Sequence, residues 1–165
     1  MDICRIRMES PVGTLLLGGD DTAVTELYFL KGEEEGGSLL MEHMVNAKEA
    51  PAAVRKAKTE LEEYFAGARK KFTVTVRPEG TTFQKRVWKE LEKIPYGETR
   101  TYGQIAAAVG SPRACRAVGM ANHNNPISII VPCHRVIGSN GKLTGYGGGL
   151  DKKEILLKLE KEGIK

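Results

Sequence analysis

Apolar and polar positions follow two different rhythms along the chain, and the change falls near residue 80. Before it, short β-prone runs dominate. Thr14-Leu15-Leu16-Leu17 and Val24-Thr25-Glu26-Leu27-Tyr28-Phe29 flank Gly18-Gly19-Asp20-Asp21, which predicts a hairpin. The acidic, glycine-containing stretch 31–38 reads as an exposed loop. From Pro51 a helix is expected, with Val54, Leu61 and Phe65 among its apolar positions and Gly67 near its end. Phe72-Thr73-Val74-Thr75-Val76 alternates as a strand should. No residue pattern in this half carries recognisable chemistry, so its expected role is structural. Arg77-Pro78-Glu79-Gly80 reads as a linker, dividing the chain into 1–80 and 81–165.

After the linker the period becomes helical. Phe83, Val87, Leu91 and Ile94 recur at three- and four-residue steps, one apolar stripe that stops at Pro95. A short helix over 102–109 would bury Ile105, Ala106 and Val109 and end at Gly110. Ser111-Pro112 then reads as an N-cap followed by proline at the first helical position, starting a helix over 112–122. That helix carries Arg113 and Arg116 among Ala114, Ala117, Gly119 and Ala121. Two short helices joined by a glycine-containing turn fit a helix-turn-helix. Small outward residues let a helix approach a narrow groove closely, with Arg116 as the one long projection. The bland alternative is that the alanines pack against the first helix.

Asn124-Asn125-Pro126 stops the second helix. Ile127-Ser128-Ile129-Ile130-Val131 is an apolar, β-branched run that reads as a buried extended segment leading into Pro132-Cys133-His134-Arg135-Val136. A thiol becomes a strong nucleophile as thiolate, which needs a nearby base or cation. His134 is the candidate base, and Arg135 adds positive potential. Neighbouring residues of a strand point to opposite faces, so pairing requires a turn after Cys133 or a bridging water. Gly138-Ser139-Asn140-Gly141 is a turn, and Gly145-Tyr146-Gly147-Gly148-Gly149 a loop able to approach a ligand closely. Asp151-Lys152-Lys153-Glu154 reads as an Asp-led capping box opening a last helix. Leu156 and Leu159 mark the inner face of that helix. Glu160 lies beside them, where a carboxylate needs a partner: His134, which it would orient, or a Lys or Arg.

Charge sharpens this picture. Residues 1–80 hold 11 Lys and Arg against 14 Asp and Glu, whereas residues 81–165 hold 14 against 7. The basic half is the one with the helix pair, which suggests a polyanionic partner. Cys4, Cys115 and Cys133 cannot all pair within the chain, and with His43, His123 and His134 they show no zinc-ligand spacing, so free thiols and no metal site are expected. No apolar run approaches the ~18 residues that span a membrane, and the N-terminus lacks the apolar core of a signal peptide. A cytoplasmic protein without a membrane partner is the expectation.

The segment from Phe83 to Glu160 closely resembles the O6-alkylguanine-DNA alkyltransferase family. The resemblance lies in Phe83-Gln84-Lys85-Arg86-Val87-Trp88, Ile94-Pro95-Tyr96-Gly97, Arg116-Ala117-Val118-Gly119, Asn125-Pro126, Pro132-Cys133-His134-Arg135-Val136 and Tyr146-Gly147-Gly148-Gly149-Leu150. These stretches span about half the chain in the family's order. The first half matches the family's variable domain in size and pattern only.

The resemblance implies an α+β protein. Its N-terminal part would be a small ribonuclease-H-like sheet with a helix, and its C-terminal part a winged-helix-like domain with a helix-turn-helix. It implies repair of double-stranded DNA carrying O6-alkylguanine, and in some members O4-alkylthymine, by a monomer without a cofactor. Cys133 would take the alkyl group irreversibly, so that each molecule acts once. His134 would serve as base through a water, Glu160 would orient it, and Asn125 would buttress the hinge after the recognition helix. Tyr102 would donate to the ring of the departing guanine and crowd the adjacent phosphate. Arg116 would fill the gap left by a flipped base, with Gln104, Arg113, Ala114, Ala117 and Gly119 as further DNA contacts. Val136, Tyr146, Gly147 and Gly148 would line the base pocket. Gly147 stands where many members carry Ser. Two other classes compete: a winged-helix module that binds without chemistry, and a cysteine hydrolase using Cys133, His134 and Glu160. Neither explains a recognition helix a few residues from a Cys-His segment.

Overall fold

The computed structural model describes residues 3–30, 43–141 and 149–163. The chain falls into two compact units, one ending at Pro78 and the next beginning at Glu79.

The first unit is a three-stranded antiparallel sheet, β1 (Cys4–Ser10), β2 (Gly13–Gly19) and β3 (Val24–Phe29), in that spatial order, with one helix, α1 (Ala52–Phe65). β2 and β3 are the expected hairpin. Asp20 closes it, its Oδ1 accepting from the Thr22 and Ala23 amides at 2.8 and 3.0 Å. β1 was not anticipated, although Ile6 and Met8 are buried and alternate with Arg5 and Arg7 in the manner of a half-buried strand. The helix after Pro51 packs on the sheet through Val54, Ala57, Leu61 and Tyr64, and Gly67 ends it at φ +78°.

The strand expected over 72–76 does not form. Its contact with the sheet is a single bridge from Val76 to Val24. The Glu60 carboxylate of α1 accepts from the Thr73 and Val74 amides at 2.9 and 3.1 Å and from the Thr73 hydroxyl at 2.5 Å. Amides claimed by a side chain are not available to a ladder.

The second unit is mainly helical. α2 (Thr82–Leu91) opens with a reciprocal Thr81–Gln84 capping box. It stops at Leu91, so Ile94 continues the buried stripe from a turn rather than from the helix. α3 (Tyr102–Ala108) and α4 (Cys115–His123) are joined by a turn through Gly110 at φ +79° and pack on each other and on α2. The indole Nε1 of Trp88 donates to the Ala121 carbonyl at 2.7 Å, fixing α4 to α2.

The second helix starts three residues later than expected. The Ala114 amide bonds the Ser111 carbonyl at 2.9 Å, closing a turn, and Ala114 itself is non-helical at φ −95°, ψ 31°. Arg113 and Ala114 therefore precede α4. Two two-residue strands, β4 (Arg100–Thr101) and β5 (Val136–Ile137), pair in parallel, and α5 (Leu150–Glu162) closes the unit. Asp151 is not the cap of α5. Gly149 is, at φ +102°, with its carbonyl accepting from the Lys152 and Lys153 amides. Residues 31–38 and most of 145–149 lie outside the described residues.

Candidate active site

The parallel pairing of β4 with β5 organises this site. It sets Arg100 beside Val136 and Thr101 beside Ile137. Tyr102 follows β4 directly, and a 3₁₀ turn, Cys133–Arg135, precedes β5 directly. A phenol and a thiol thus start from neighbouring backbone positions, although 31 residues separate them in sequence.

The segment expected to be an extended run before Cys133 is buried but folded back on itself. Asn125, 5% exposed, is the cause. Its Nδ2 donates to the Val131 and Ile127 carbonyls at 2.8 and 3.4 Å, and its Oδ1 accepts from the Ile127 amide at 3.0 Å. One side chain takes the polar groups that a ladder would have used. Ile129 is held at φ +71°, a region that β-branched residues rarely enter.

The turn at Cys133 supplies what a strand could not. Cys133 and His134 are both buried, at 2% and 0% exposure. His134 Nε2 meets Glu160 Oε2 of α5 at 2.6 Å. Arg135 grips the same carboxylate with two donors, Nε to Oε1 at 2.8 Å and Nη2 to Oε2 at 2.9 Å. Its third nitrogen, Nη1, donates to the Ile94 carbonyl at 2.7 Å. The two partners weighed for Glu160, His134 and a basic residue, are both present. Burial by itself would raise the Glu160 pKa, but the bonds and charges of His134 and Arg135 outweigh it and hold the carboxyl at about 2.

An ionised Glu160 accepts, so His134 carries its proton on Nε2. Nδ1 is then the basic nitrogen, and it has no protein partner among the described residues. Burial pushes the His134 pKa down, and the neighbouring Arg135 and Lys153 charges add to this; Glu160 opposes them. At neutral pH the ring is a neutral base with a fixed tautomer.

Lys153, part of the expected Asp151–Glu154 capping box, is not singled out by the sequence. It is fully buried, and its ammonium donates to the Val136 carbonyl at 2.5 Å and lies 6.0 Å from the centroid of the Tyr102 ring. Burial lowers its pKa to about 8, while charge at Cys133 raises it. The sequence signal was its spacing: Lys153, Leu156 and Glu160 form the buried stripe of α5, with one leucine between two ionisable groups. Leu159, expected on that face, is only half-buried.

Among the DNA-contact candidates, Arg113, Arg116 and Ala117 are exposed, and Ala114 and Gly119 are half-exposed. A Cβ on Gly119 would meet nothing within 4 Å. Gln104 is exposed, but its Oε1 accepts from the Thr101 amide at 2.8 Å in a second capping box. Val136 is buried in β5 and Tyr102 half-buried. Tyr146, Gly147 and Gly148 lie outside the described residues. No disulfide joins Cys4, Cys115 and Cys133, and no metal-ligating cluster occurs among the described residues.

A buried cysteine turn backed by a His-Glu pair thus shares one helical unit with a helix that exposes Arg116 among small residues. Comparison with known proteins is more specific. Residues 82–162 match the family described as "6-O-methylguanine DNA methyltransferase, DNA binding domain", and residues 3–78 match its "ribonuclease-like domain". The methylated-DNA–protein-cysteine methyltransferase of Methanosarcina acetivorans is 56% identical over 152 residues, covering 92% of this chain and 94% of that protein. A Mycobacterium tuberculosis relative solved in complex with DNA is 49% identical with a TM-score of 0.83, covering 96% of this chain and 92% of that one. The Methanococcus jannaschii O6-methylguanine DNA methyltransferase is 29% identical with a TM-score of 0.73, covering 96% and 95%. This chain belongs to the 6-O-methylguanine DNA methyltransferase family.

Proposed function

We propose that this protein repairs DNA by moving the alkyl group of O6-alkylguanine onto Cys133, once per molecule. The observation that carries this reading is the buried relay behind the thiol: His134, neutral, with no partner for Nδ1 among the described residues, held by Glu160 at 2.6 Å. Through a water, Nδ1 takes the Cys133 proton, and the Lys153 ammonium favours the resulting thiolate electrostatically. The thiolate attacks the alkyl carbon, an S–C bond forms, and the O6–C bond breaks. The electron pair stays on guanine, whose ring accepts a hydrogen bond or proton from the Tyr102 hydroxyl. The thioether product is stable, so no turnover follows.

A guanine stacked in a duplex hides its O6 atom, so the nucleotide must rotate outward, at a cost of a few kcal/mol. α4 suits this task. Ala117 and Gly119 allow close approach to a minor groove, and exposed Arg116 is long enough to occupy the vacated space. Arg113 and Ala114, in the turn before α4, meet the sugar-phosphate backbone. Gln104 supports this surface through its cap. Val136 lines the base pocket, a role that the family resemblance also implies for Tyr146, Gly147 and Gly148. The division of labour puts structure in 1–80 and DNA binding and transfer in 81–165. The working form is a monomer in the reducing cytoplasm, on double-stranded DNA carrying O6-alkylguanine.

The deciding experiment is intact mass after mixing with a short duplex bearing one O6-methylguanine. One added methyl per chain, mapped to Cys133 and saturating there, is expected. An unchanged mass with the lesion removed would mean a turnover enzyme, and an unchanged mass with the lesion intact a binding module.

A further inference from the structure

Two helices hold carbonyls at the two ends of the nucleophile's turn. Lys153 of α5 takes Val136, and Asn122 of α4 takes Cys133 itself. Asn122 is 2% exposed, and its Nδ2 donates to the Cys133 carbonyl at 3.2 Å. Its Oδ1 is buried without a protein partner among the described residues. Turning the amide over would set that oxygen against the carbonyl oxygen of Cys133, so the orientation follows from the chemistry. The backbone at this point is also tied. Trp88 donates to the Ala121 carbonyl, and the Asn125 amide reaches the Asn122 carbonyl at 3.4 Å.

A leucine would fill this site without burying an oxygen that bonds no group among the described residues, and such burial is unfavourable. An amide kept here despite that cost has its use in the bond to Cys133. α4 exposes Arg116 and Ala117 on one side and buries Val118, Ala121 and Asn122 on the other. A helix of nine residues moves as one body, so a shift of its outer face is a shift of the Asn122 donor.

We propose that Asn122 is a positioning residue for the transfer, fixing the turn of Cys133 to the helix that carries Arg116, so that seating on DNA and placing the thiol are one event. This rests on the function proposed above. In-line displacement tolerates little misplacement of the nucleophile, so the effect belongs in the rate of transfer rather than in DNA affinity.

The test compares Asn122→Leu and Asn122→Asp with the unsubstituted chain on a duplex bearing O6-methylguanine. For the leucine variant the single-turnover rate at saturating duplex falls about tenfold, while the duplex Kd stays within about twofold. An unchanged rate, or a loss confined to affinity, overturns the proposal. The aspartate variant adds a readout that packing alone would not move. Ionised, it sets lone pairs against the Cys133 carbonyl; protonated, it can donate to it. Its rate relative to the unsubstituted chain therefore rises as pH falls from about 8 to about 6, burial having raised the carboxyl pKa, whereas the leucine ratio stays flat. If the leucine variant does not fold, the aspartate profile decides alone, and a flat ratio overturns the proposal. Failure of the unsubstituted chain to gain a methyl would instead overturn the function itself, before any variant is compared.

Discussion

His134 and Glu160 lie 26 residues apart and meet at 2.6 Å in the interior, and the same carboxylate is held from a second direction by both Nε and Nη2 of Arg135. The relay is thus anchored twice within the three-residue turn that begins at Cys133. One carboxylate fixes the tautomer of the base and neutralises a buried guanidinium. These duties separate under mutation.

Glu160→Gln leaves Arg135 buried without a counter-charge and offers one acceptor oxygen where His134 and Arg135 now use two. Breaking a buried pair from one side costs about 3–5 kcal/mol, so the denaturant midpoint falls markedly. Methyl transfer, measured well below the unfolding temperature, falls as well. A variant with normal stability and normal rate would refute the relay.

The acid limb of stability follows from the same groups. His134 and Glu160 both have pKa values depressed by folding, so each contributes stability that is present above its unfolded value and lost as pH falls. The His134 contribution begins to fade as pH drops through the ordinary 6.5, and that of Glu160 between 4.5 and about 2. Urea unfolding across this range should show a two-stage decline; Asp20 and Glu60, also depressed by their partners, share the lower stage, so Glu160→Gln should shrink it without abolishing it.

Lys153→Met removes the buried ammonium facing Val136 and Tyr102. With the cation gone, the Cys133 thiolate is less favoured, so the rate at which a small alkylating reagent labels Cys133 at neutral pH drops several-fold and its pH midpoint moves upward. Peptide mapping of the labelled cysteine distinguishes Cys133 from exposed Cys115. An unmoved midpoint would mean that Lys153 serves only to hold the Val136 carbonyl.

Arg116→Ala tests the outer face of α4. The side chain is exposed, so stability stays within about 0.5 kcal/mol. Repair of O6-methylguanine in a duplex falls, while transfer from free O6-alkylguanine base is preserved. Equal losses on the two substrates would remove Arg116 from the flipping step.

Features that depend on neighbours a few residues away are legible in the chain alone. The stop at Gly110, the hairpin around Asp20 and the arrival of Cys133 at the end of an apolar run all rest on local geometry and spacing. Cys133 and His134 were legible as a candidate pair because they are adjacent, and the His134–Glu160 contact because a carboxylate beside an apolar stripe demands a partner.

Tertiary structure decided wherever a distant side chain took a backbone group that local pattern would have given to a ladder or a cap. Glu60 took the amides of Thr73 and Val74 and cancelled a strand; Asn125 folded 127–131 on itself; Lys153 left the expected cap to become an interior cation. Hydrophobic period records which positions are buried. It does not record which polar group, brought in by the fold, will satisfy the hydrogen bonds there, and that choice placed Lys153 and Asn122 against the carbonyls flanking the thiol.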